Sequence, residues 1–101
     1  LDAVDEFKKS MTMDGKMYKA NTHYNIGWSY SELEDYDNAL IHFNKAIEIK
    51  PKEGYFYADK GDTLFELGKE EEACSNYLKS FDLGYEEIKD YLNSSDGEWC
   101  K

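Results

Sequence analysis

The 101 residues include no arginine, a single proline and two cysteines, and no run of 18 apolar residues occurs. The last absence predicts that no segment spans a membrane. Without arginine, twelve lysines oppose 22 acidic residues, and the net charge is −10. Nucleic acid and anionic membranes are therefore disfavoured as partners, because binding to them depends on neutralising phosphates with Lys and Arg. A charge of this sign attracts basic proteins or peptides instead.

The two cysteines, Cys74 and Cys100, are too few for a disulfide framework. We expect two free thiols in a reducing compartment, and hence a cytoplasmic location. A Cys74–Cys100 bridge in an exported protein is the alternative. No charged-then-apolar leader opens the sequence, but it begins at Leu1 rather than Met, so an upstream signal stays open.

A 34-residue period runs through the chain. It separates Gly27 from Gly61, Ala39 from Ala73, and an aromatic residue at position 43 from another at position 77. A fixed period of this length indicates stacked repeats of one supersecondary unit. Such arrays present an extended surface to another molecule. The period therefore predicts a binding module.

Helical periodicity accompanies the repeats. Ile26, Tyr30 and Leu33 recur at i, i+4 and i+7, which places them on one face of a helix. Asp35 is a candidate N-cap and Gly68 a candidate left-handed C-cap. We predict helices at about 20–33, 36–49, 54–67 and 70–83, and their short connections predict antiparallel hairpins.

Gly27 and Gly61 lie inside predicted helices, where glycine costs about 1 kcal/mol relative to alanine. Because glycine occurs at the same position in both repeats despite this cost, we expect it to have a structural role there. Without a side chain, each glycine lets the partner helix approach closely at the level of Ala39 or Ala73. We expect the aromatic residue four positions after each alanine to fill the space beside this contact.

These residues resemble the signature of the tetratricopeptide repeat. The matching positions of the first copy are Gly27, Tyr30, Ala39, Phe43, Ala46 and Pro51, and Gly61, Ala73 and Tyr77 renew them in the second. The resemblance implies an all-α fold, in which antiparallel helix hairpins stack in a right-handed superhelix with a C-terminal capping helix. The implied units are the second helix of a partial leading repeat with its connecting turn (1–19), two repeats (20–53 and 54–87), and a capping helix with a tail (88–101).

In this family the first helix of each repeat lines a concave face where ligands bind. Tyr24 and Trp28 are one turn apart and off the Ile26 face, so we expect that they are not both in the core. The alternatives for Trp28 are packing against a neighbouring repeat and self-association. The resemblance implies a peptide-binding or protein-binding groove formed by Tyr24, Asn25, Trp28, Glu32, Tyr55, Asp59, Asp62 and Glu66.

One subfamily is disfavoured. Tetratricopeptide domains that grip the acidic C-termini of heat-shock chaperones use Lys, Asn and Arg on this face. The corresponding region here carries Asp59 and Asp62, and a carboxylate terminus would meet carboxylates.

No pattern indicates an enzyme, a cofactor or a metal site. His23 and His42 lie on different predicted helices, and no His, Cys or carboxylate cluster has metal-ligand spacing. We expect His23 to pack between helices and His42 to lie at the surface. The sequence therefore predicts a non-catalytic interaction or scaffold module for a protein or peptide of basic character. The alternatives are a self-association module, joined through its uncapped N-terminal end, and the C-terminal part of a longer scaffold without its own groove.

Overall fold

Five α-helices follow one another along the part of the chain that the computed structural model describes, residues 15–94 and Cys100. No strand occurs within these residues. Turns of three or four residues join the helices, so consecutive helices fold back on one another as antiparallel hairpins. The helices are α1 (Gly15–Glu32), α2 (Tyr36–Ile49), α3 (Gly54–Glu66), α4 (Glu70–Asp82) and α5 (Glu86–Asn93).

The predicted helix ends after α1 are confirmed by local geometry. Asp35 caps α2, since its side chain accepts a hydrogen bond from the backbone amide of Asn38. The helix α2 ends at Ile49, two residues before Pro51. Gly68, between α3 and α4, has a φ of +80°, the left-handed conformation that glycine adopts without a steric penalty. These signals set the length of each hairpin.

The start of α1 differs from the prediction. The helix begins at Gly15, so residues 15–19 are helical and are not a connecting turn. The reason is packing as well as propensity: Met17 and Ala20 contact an apolar cluster that includes Ala46 and Phe56. Burial against α2 and α3 stabilises the extra turn despite the glycine at its start. The predicted leading half-repeat, at residues 1–13, lies outside the described residues.

Each hairpin is closed by the predicted contact between a glycine and an aromatic ring. A Cβ atom added to Gly27 would lie 2.9 Å from the ring of Phe43 and 3.1 Å from the carbonyl oxygen of Ala39. In the second hairpin, a Cβ atom on Gly61 would lie 2.8 Å from the ring of Tyr77. A side chain at either glycine would require the facing aromatic ring, and the nearby backbone carbonyl of the partner helix, to shift.

The apolar face predicted for α1 is not its packing face. Leu33 is 76% exposed and Ile26 is 37% exposed. The buried residues of α1 are Ala20 and Gly27, with Tyr24 half-buried between them. The contact at Gly27 determines this rotation, because the glycine must face α2 for the two backbones to approach closely.

The two histidines contact each other across the first hairpin. The Nδ1 atoms of His23 and His42 lie 3.2 Å apart, so that one Nδ1–H donates to the other Nδ1. The expected interhelical packing of His23 is thus confirmed. His42 is half-buried and stacked on Tyr30, at 5.7 Å between ring centroids, so its expected surface position is wrong. Burial, His23 and Lys45 lower the pKa of His42, which favours its neutral form.

The second hairpin and α5 enclose a common core. Ile88 and Leu92 are the buried residues of α5, Tyr91 is half-buried against the same core, and the other residues of the helix are exposed. A helix with one buried edge and an otherwise polar surface agrees with the capping helix that the sequence predicts. The core contains Ala58 and Leu64 of α3, Ala73 and Tyr77 of α4, Ile88 and Leu92 of α5, and Cys100.

Cys74 of α4 and Cys100 form a disulfide, with 5.2 Å between their Cα atoms. The expectation of two free thiols is therefore wrong, and the alternative pairing is correct. Cys100 is only 5% exposed and belongs to the apolar core beneath α5. The bond connects α4 to a residue beyond α5.

We predict that Gly27→Ala destabilises the protein by about 1–3 kcal/mol, because the new methyl group overlaps the Phe43 ring and the Ala39 carbonyl. Helix propensity alone would change stability by about 1 kcal/mol in the opposite direction. Gly15→Ala is the matched control, since nothing lies within 4 Å of its added Cβ. Urea unfolding measures both. Equal stability changes in the two variants would contradict the close contact.

Candidate peptide-binding groove

The first helices of successive hairpins, together with α5, present a row of three tyrosines. The ring centroids of Tyr24 on α1 and Tyr55 on α3 are 5.0 Å apart, in an edge-to-face arrangement. Tyr85, immediately before α5, lies 6.4 Å from Tyr55. All three side chains are half-buried. We name this set the tyrosine row, and it connects α1, α3 and the start of α5.

Each hydroxyl of the tyrosine row is held by a hydrogen bond. The Tyr24 hydroxyl donates to the carboxylate of Asp59. Tyr55 donates to Oδ1 of Asn21 at 2.7 Å, and Tyr85 donates to Oε2 of Glu87 at 2.9 Å. These bonds fix the direction of the rings, so the row is ordered without a ligand.

Tyr24 also packs inward. Its ring centroid is 5.9 Å from that of Phe43 and 5.4 Å from that of Phe56. Trp28, one turn further along α1, is 52% exposed. The expectation that these two residues are not both in the core agrees with this difference in burial. Tyr24 therefore supports the fold as well as the surface.

An open cleft of about 210 Å³ lies beside the tyrosine row, between α3 and α5. Apolar side chains line part of it, three carboxylates approach it from both helices, and two tyrosine rings lie on the α5 side. The lining residues are Ala58, Asp59, Asp62, Tyr85, Glu87, Ile88 and Tyr91. We name this space the acidic cleft.

The charge of the acidic cleft is poorly compensated at Asp59. Burial, together with the neighbouring charges of Asp62 and Glu87, raises the pKa of Asp59 to about 6, and the hydrogen bond from Tyr24 acts in the opposite direction. No lysine of the described residues contributes to this shift. The carboxylate of Asp59 is thus hydrogen-bonded but not neutralised.

Asp62 is in a similar state. Burial raises the pKa of its carboxyl group, and the charge of Glu66 adds to the increase. The Tyr77 hydroxyl donates a hydrogen bond to Asp62, which acts in the opposite direction. Across the cleft, burial and the carboxylate of Glu87 raise the pKa of Tyr85 to about 12. A cation in the cleft would offset the repulsion between these carboxylates.

The structure brings together half of the residues predicted for the groove. Tyr24 and Tyr55 form the tyrosine row, and Asp59 and Asp62 line the acidic cleft. The others are exposed and lie outside the cleft. They are Asn25, Trp28, Glu32 and Glu66. Glu32 and Glu66 lie near Tyr36, whose pKa is raised by burial and by these charges.

The contribution of α5 was missed in the sequence. Tyr85, Glu87 and Tyr91 line the acidic cleft, yet this segment was predicted only as a cap. One signal was available: Tyr85 occupies the position of Pro51 in the repeat, which marks the beginning of a further first helix. The turn before α5 has three residues, whereas the turn before α3 has four. This difference in length makes the correspondence between α5 and the first helix of a repeat harder to recognise in the sequence.

Neither a metal site nor a membrane-spanning helix is found among the described residues. No group of three or more His, Cys, Asp or Glu side chains there is arranged to hold a metal ion. Within the same residues, no helix combines the length and apolar character needed to cross a membrane.

Comparison with known proteins agrees with the hairpin architecture. A family model described as tetratricopeptide repeat matches residues 20–53, and a second model with that description matches residues 55–83. The chain belongs to the tetratricopeptide repeat (TPR) family. TPR domains are typically non-catalytic interaction modules, and this chain is a TPR protein–protein interaction module.

Two relatives contain a similar region within longer chains. It is 29% identical over 83 residues to "Protein STIP1 homolog" of Dictyostelium discoideum, a match covering 82% of this chain and 15% of the relative. It is 30% identical over 74 residues to "DnaJ homolog subfamily C member 7" of Homo sapiens, covering 73% of this chain and 15% of the relative. The chain thus spans about one seventh of the length of these curated relatives.

We predict that Asp59→Asn stabilises the TPR module at pH 7 by about 1–3 kcal/mol. An aspartate has a pKa of about 3.9 in an unfolded chain, and burial raises the pKa of Asp59 to about 6 in the fold. Between these values the native state binds more protons, so wild-type stability falls as pH rises from about 4 to about 6. The neutral asparagine avoids this loss.

The measurement is urea unfolding of both proteins at pH 4 and pH 7, where the difference should be small at the lower pH and full at the higher one. Asp90→Asn, at an exposed position of α5, is the control and should change stability by less than about 0.5 kcal/mol. A destabilised Asp59→Asn variant at pH 7 would contradict the uncompensated charge.

Proposed function

We propose that this TPR module binds a basic peptide or protein segment along the groove formed by the tyrosine row and the acidic cleft. The observation that carries the proposal is the set of carboxylates around one cleft, two from α3 and one from α5. They face an open volume large enough for a long side chain. A lysine or arginine side chain supplies the missing positive charge.

Charge complementarity supports this choice of partner. Asp59, Asp62 and Glu87 repel one another in the free protein, and a bound cation replaces this repulsion with attraction. In a partly buried cleft such attraction is stronger than in open water. The rings of Tyr85 and Tyr91 lie beside the carboxylates, where their faces can contact the same cation.

The tyrosine row supplies the remaining contact area. Tyrosine and tryptophan offer a large surface at low entropic cost, and they dominate the energetics of many interfaces. The rings of Tyr24, Tyr55 and Tyr85 are already ordered by their hydrogen bonds. Trp28 adds an exposed aromatic ring on α1. A segment that crosses from α5 to α1 would contact both.

The test uses fluorescein-labelled hexalysine as a probe, titrated with the 101-residue chain and followed by fluorescence anisotropy. We expect Asp59→Asn combined with Glu87→Gln to weaken binding by at least about tenfold, because the pair contributes charge within the cleft. Glu70→Gln combined with Glu71→Gln is the matched control. It removes the same charge from the exposed first turn of α4.

The comparison between the two double variants decides the proposal. A much larger loss in the cleft variant supports binding in the groove. If both variants lose affinity equally, hexalysine is attracted by the overall charge of −10 and the groove is not its site. Hexaglutamate serves as the negative probe.

Trp28→Ala tests the aromatic part of the groove. Since Trp28 is 52% exposed, we expect thermal stability to change little and the affinity for a hexalysine peptide with one added tryptophan to fall by about 3–30-fold. Tyr24→Ala is unsuitable for this purpose, because the ring of Tyr24 packs against Phe43 and Phe56. A large drop in melting temperature for Trp28→Ala would show that this side chain supports the fold.

Self-association is a second candidate, favoured by the exposed apolar side chains of α1. Leu33, Ile26 and Trp28 are 76%, 37% and 52% exposed, and apolar surface of this kind often marks an interface. A second copy covering the side of Ile26 and Leu33 would bury these two side chains, whereas Trp28 lies on another face of α1. Sedimentation velocity over a hundredfold concentration range tests this, and Leu33→Glu should abolish any dimer. A monomer throughout the range would exclude it.

We propose a cytoplasmic location for the protein, as the sequence predicts. In that compartment disulfides are usually transient, so the Cys74–Cys100 bond would be reversible there. Alkylation of the two thiols at the moment of cell lysis, followed by mass spectrometry, measures their oxidation state. A fully oxidised population would instead indicate an oxidising compartment.

A further inference from the structure

The disulfide encloses the helix that completes the acidic cleft. Cys74 lies in the first half of α4, and Cys100 lies beyond the end of α5. The chain between them includes the rest of α4, the turn at residues 83–85 and the whole of α5. Any large displacement of α5 is therefore restrained at both ends, by the turn before it and by the disulfide after it.

The helix α5 depends on such restraint. It has only eight residues, fewer than the length at which an isolated helix is stable in water. Its buried side chains are Ile88 and Leu92, which join the core formed with Ala73 and Tyr77. With the half-buried Tyr91, these side chains form the small apolar contact of α5, and the covalent bond adds a second restraint to it.

Cys100 is part of the same core. It is 5% exposed and clusters with Ala58, Ile88 and Leu92. Ala58 and Ile88 also line the acidic cleft. The disulfide thus belongs to the same apolar cluster as two of the residues that line the cleft.

We propose that the Cys74–Cys100 disulfide is a redox switch that controls partner binding through the position of α5. In the oxidised form, α5 is held against α4, and Tyr85, Glu87 and Tyr91 complete the acidic cleft. In the reduced form, α5 separates more readily and the cleft loses these side chains. The effect on binding rests on the proposed function, whereas the effect on α5 does not.

The chemical step is an exchange with a small-molecule disulfide such as oxidised glutathione. One protein thiolate attacks the small disulfide, forms a mixed disulfide and releases one thiol. The second protein thiolate then attacks the protein sulfur of the mixed disulfide, closes the Cys74–Cys100 bond and releases the second thiol. The protein loses two electrons and two protons, and the small disulfide is reduced to two thiols.

The first measurement is amide hydrogen exchange of the 101-residue chain in oxidised and reduced glutathione buffers. We expect exchange in α5 to accelerate at least about tenfold on reduction, with α2 unchanged, because α5 opens locally without global unfolding. The melting temperature should fall by roughly 10 °C or more. Cys74→Ser should match the reduced wild-type protein in both buffers.

The second measurement is the affinity for hexalysine in the same two buffers. We expect this affinity to fall by at least about threefold on reduction, without being abolished, because α5 opens only part of the time. Equal exchange of α5 in both buffers, or failure of the bond to form with oxidised glutathione, would overturn the switch. Equal affinity despite faster exchange would overturn its control of binding. If hexalysine binds neither form while α5 responds to reduction, the proposed function fails and the redox response of α5 stands.

Discussion

The close approach of helices at Gly27 and Gly61 is the constraint on which the rest of the structure depends. At each glycine the partner helix occupies the space that a Cβ atom would need. The contact fixes the rotation of α1 against α2 and of α3 against α4. It thereby decides which side chains turn toward the neighbouring hairpin and which remain for a partner. The tyrosine row and the acidic cleft both follow from these rotations.

The same contact explains where sequence reasoning succeeded and where it failed on the fold. The period identified both glycines, and caps such as Asp35 and Gly68 marked helix ends that the structure confirms. The apolar spacing of Ile26 and Leu33 nevertheless indicated the wrong packing face of α1. A face of small residues carries little hydrophobic signal, although small residues allow the closest packing. Rotation depends on this steric match, which apolar periodicity does not measure.

The site was predictable to the extent that the repeat pattern extends over it. Tyr24, Tyr55, Asp59 and Asp62 lie on the first helices of two repeats, and their positions follow from the 34-residue correspondence. Tyr85, Glu87 and Tyr91 did not follow, because the pattern weakens before α5. For the disulfide, the sequence offers the Cys74–Cys100 pair only as an alternative to free thiols, since the 5.2 Å between the Cα atoms arises from the packing of α5 and Cys100 on α4.

If α5 completes the site, then binding and oxidation are linked thermodynamically. A partner held between α3 and α5 favours the form in which α5 is docked, and the disulfide favours the same form. In a closed cycle, the ratio of partner affinities for the oxidised and reduced protein equals the factor by which the partner shifts disulfide formation. A partner bound tenfold more tightly by the oxidised form would therefore protect the Cys74–Cys100 bond by about 1.4 kcal/mol. Partner binding would favour disulfide formation, and disulfide formation would favour partner binding, because both stabilise the docked position of α5.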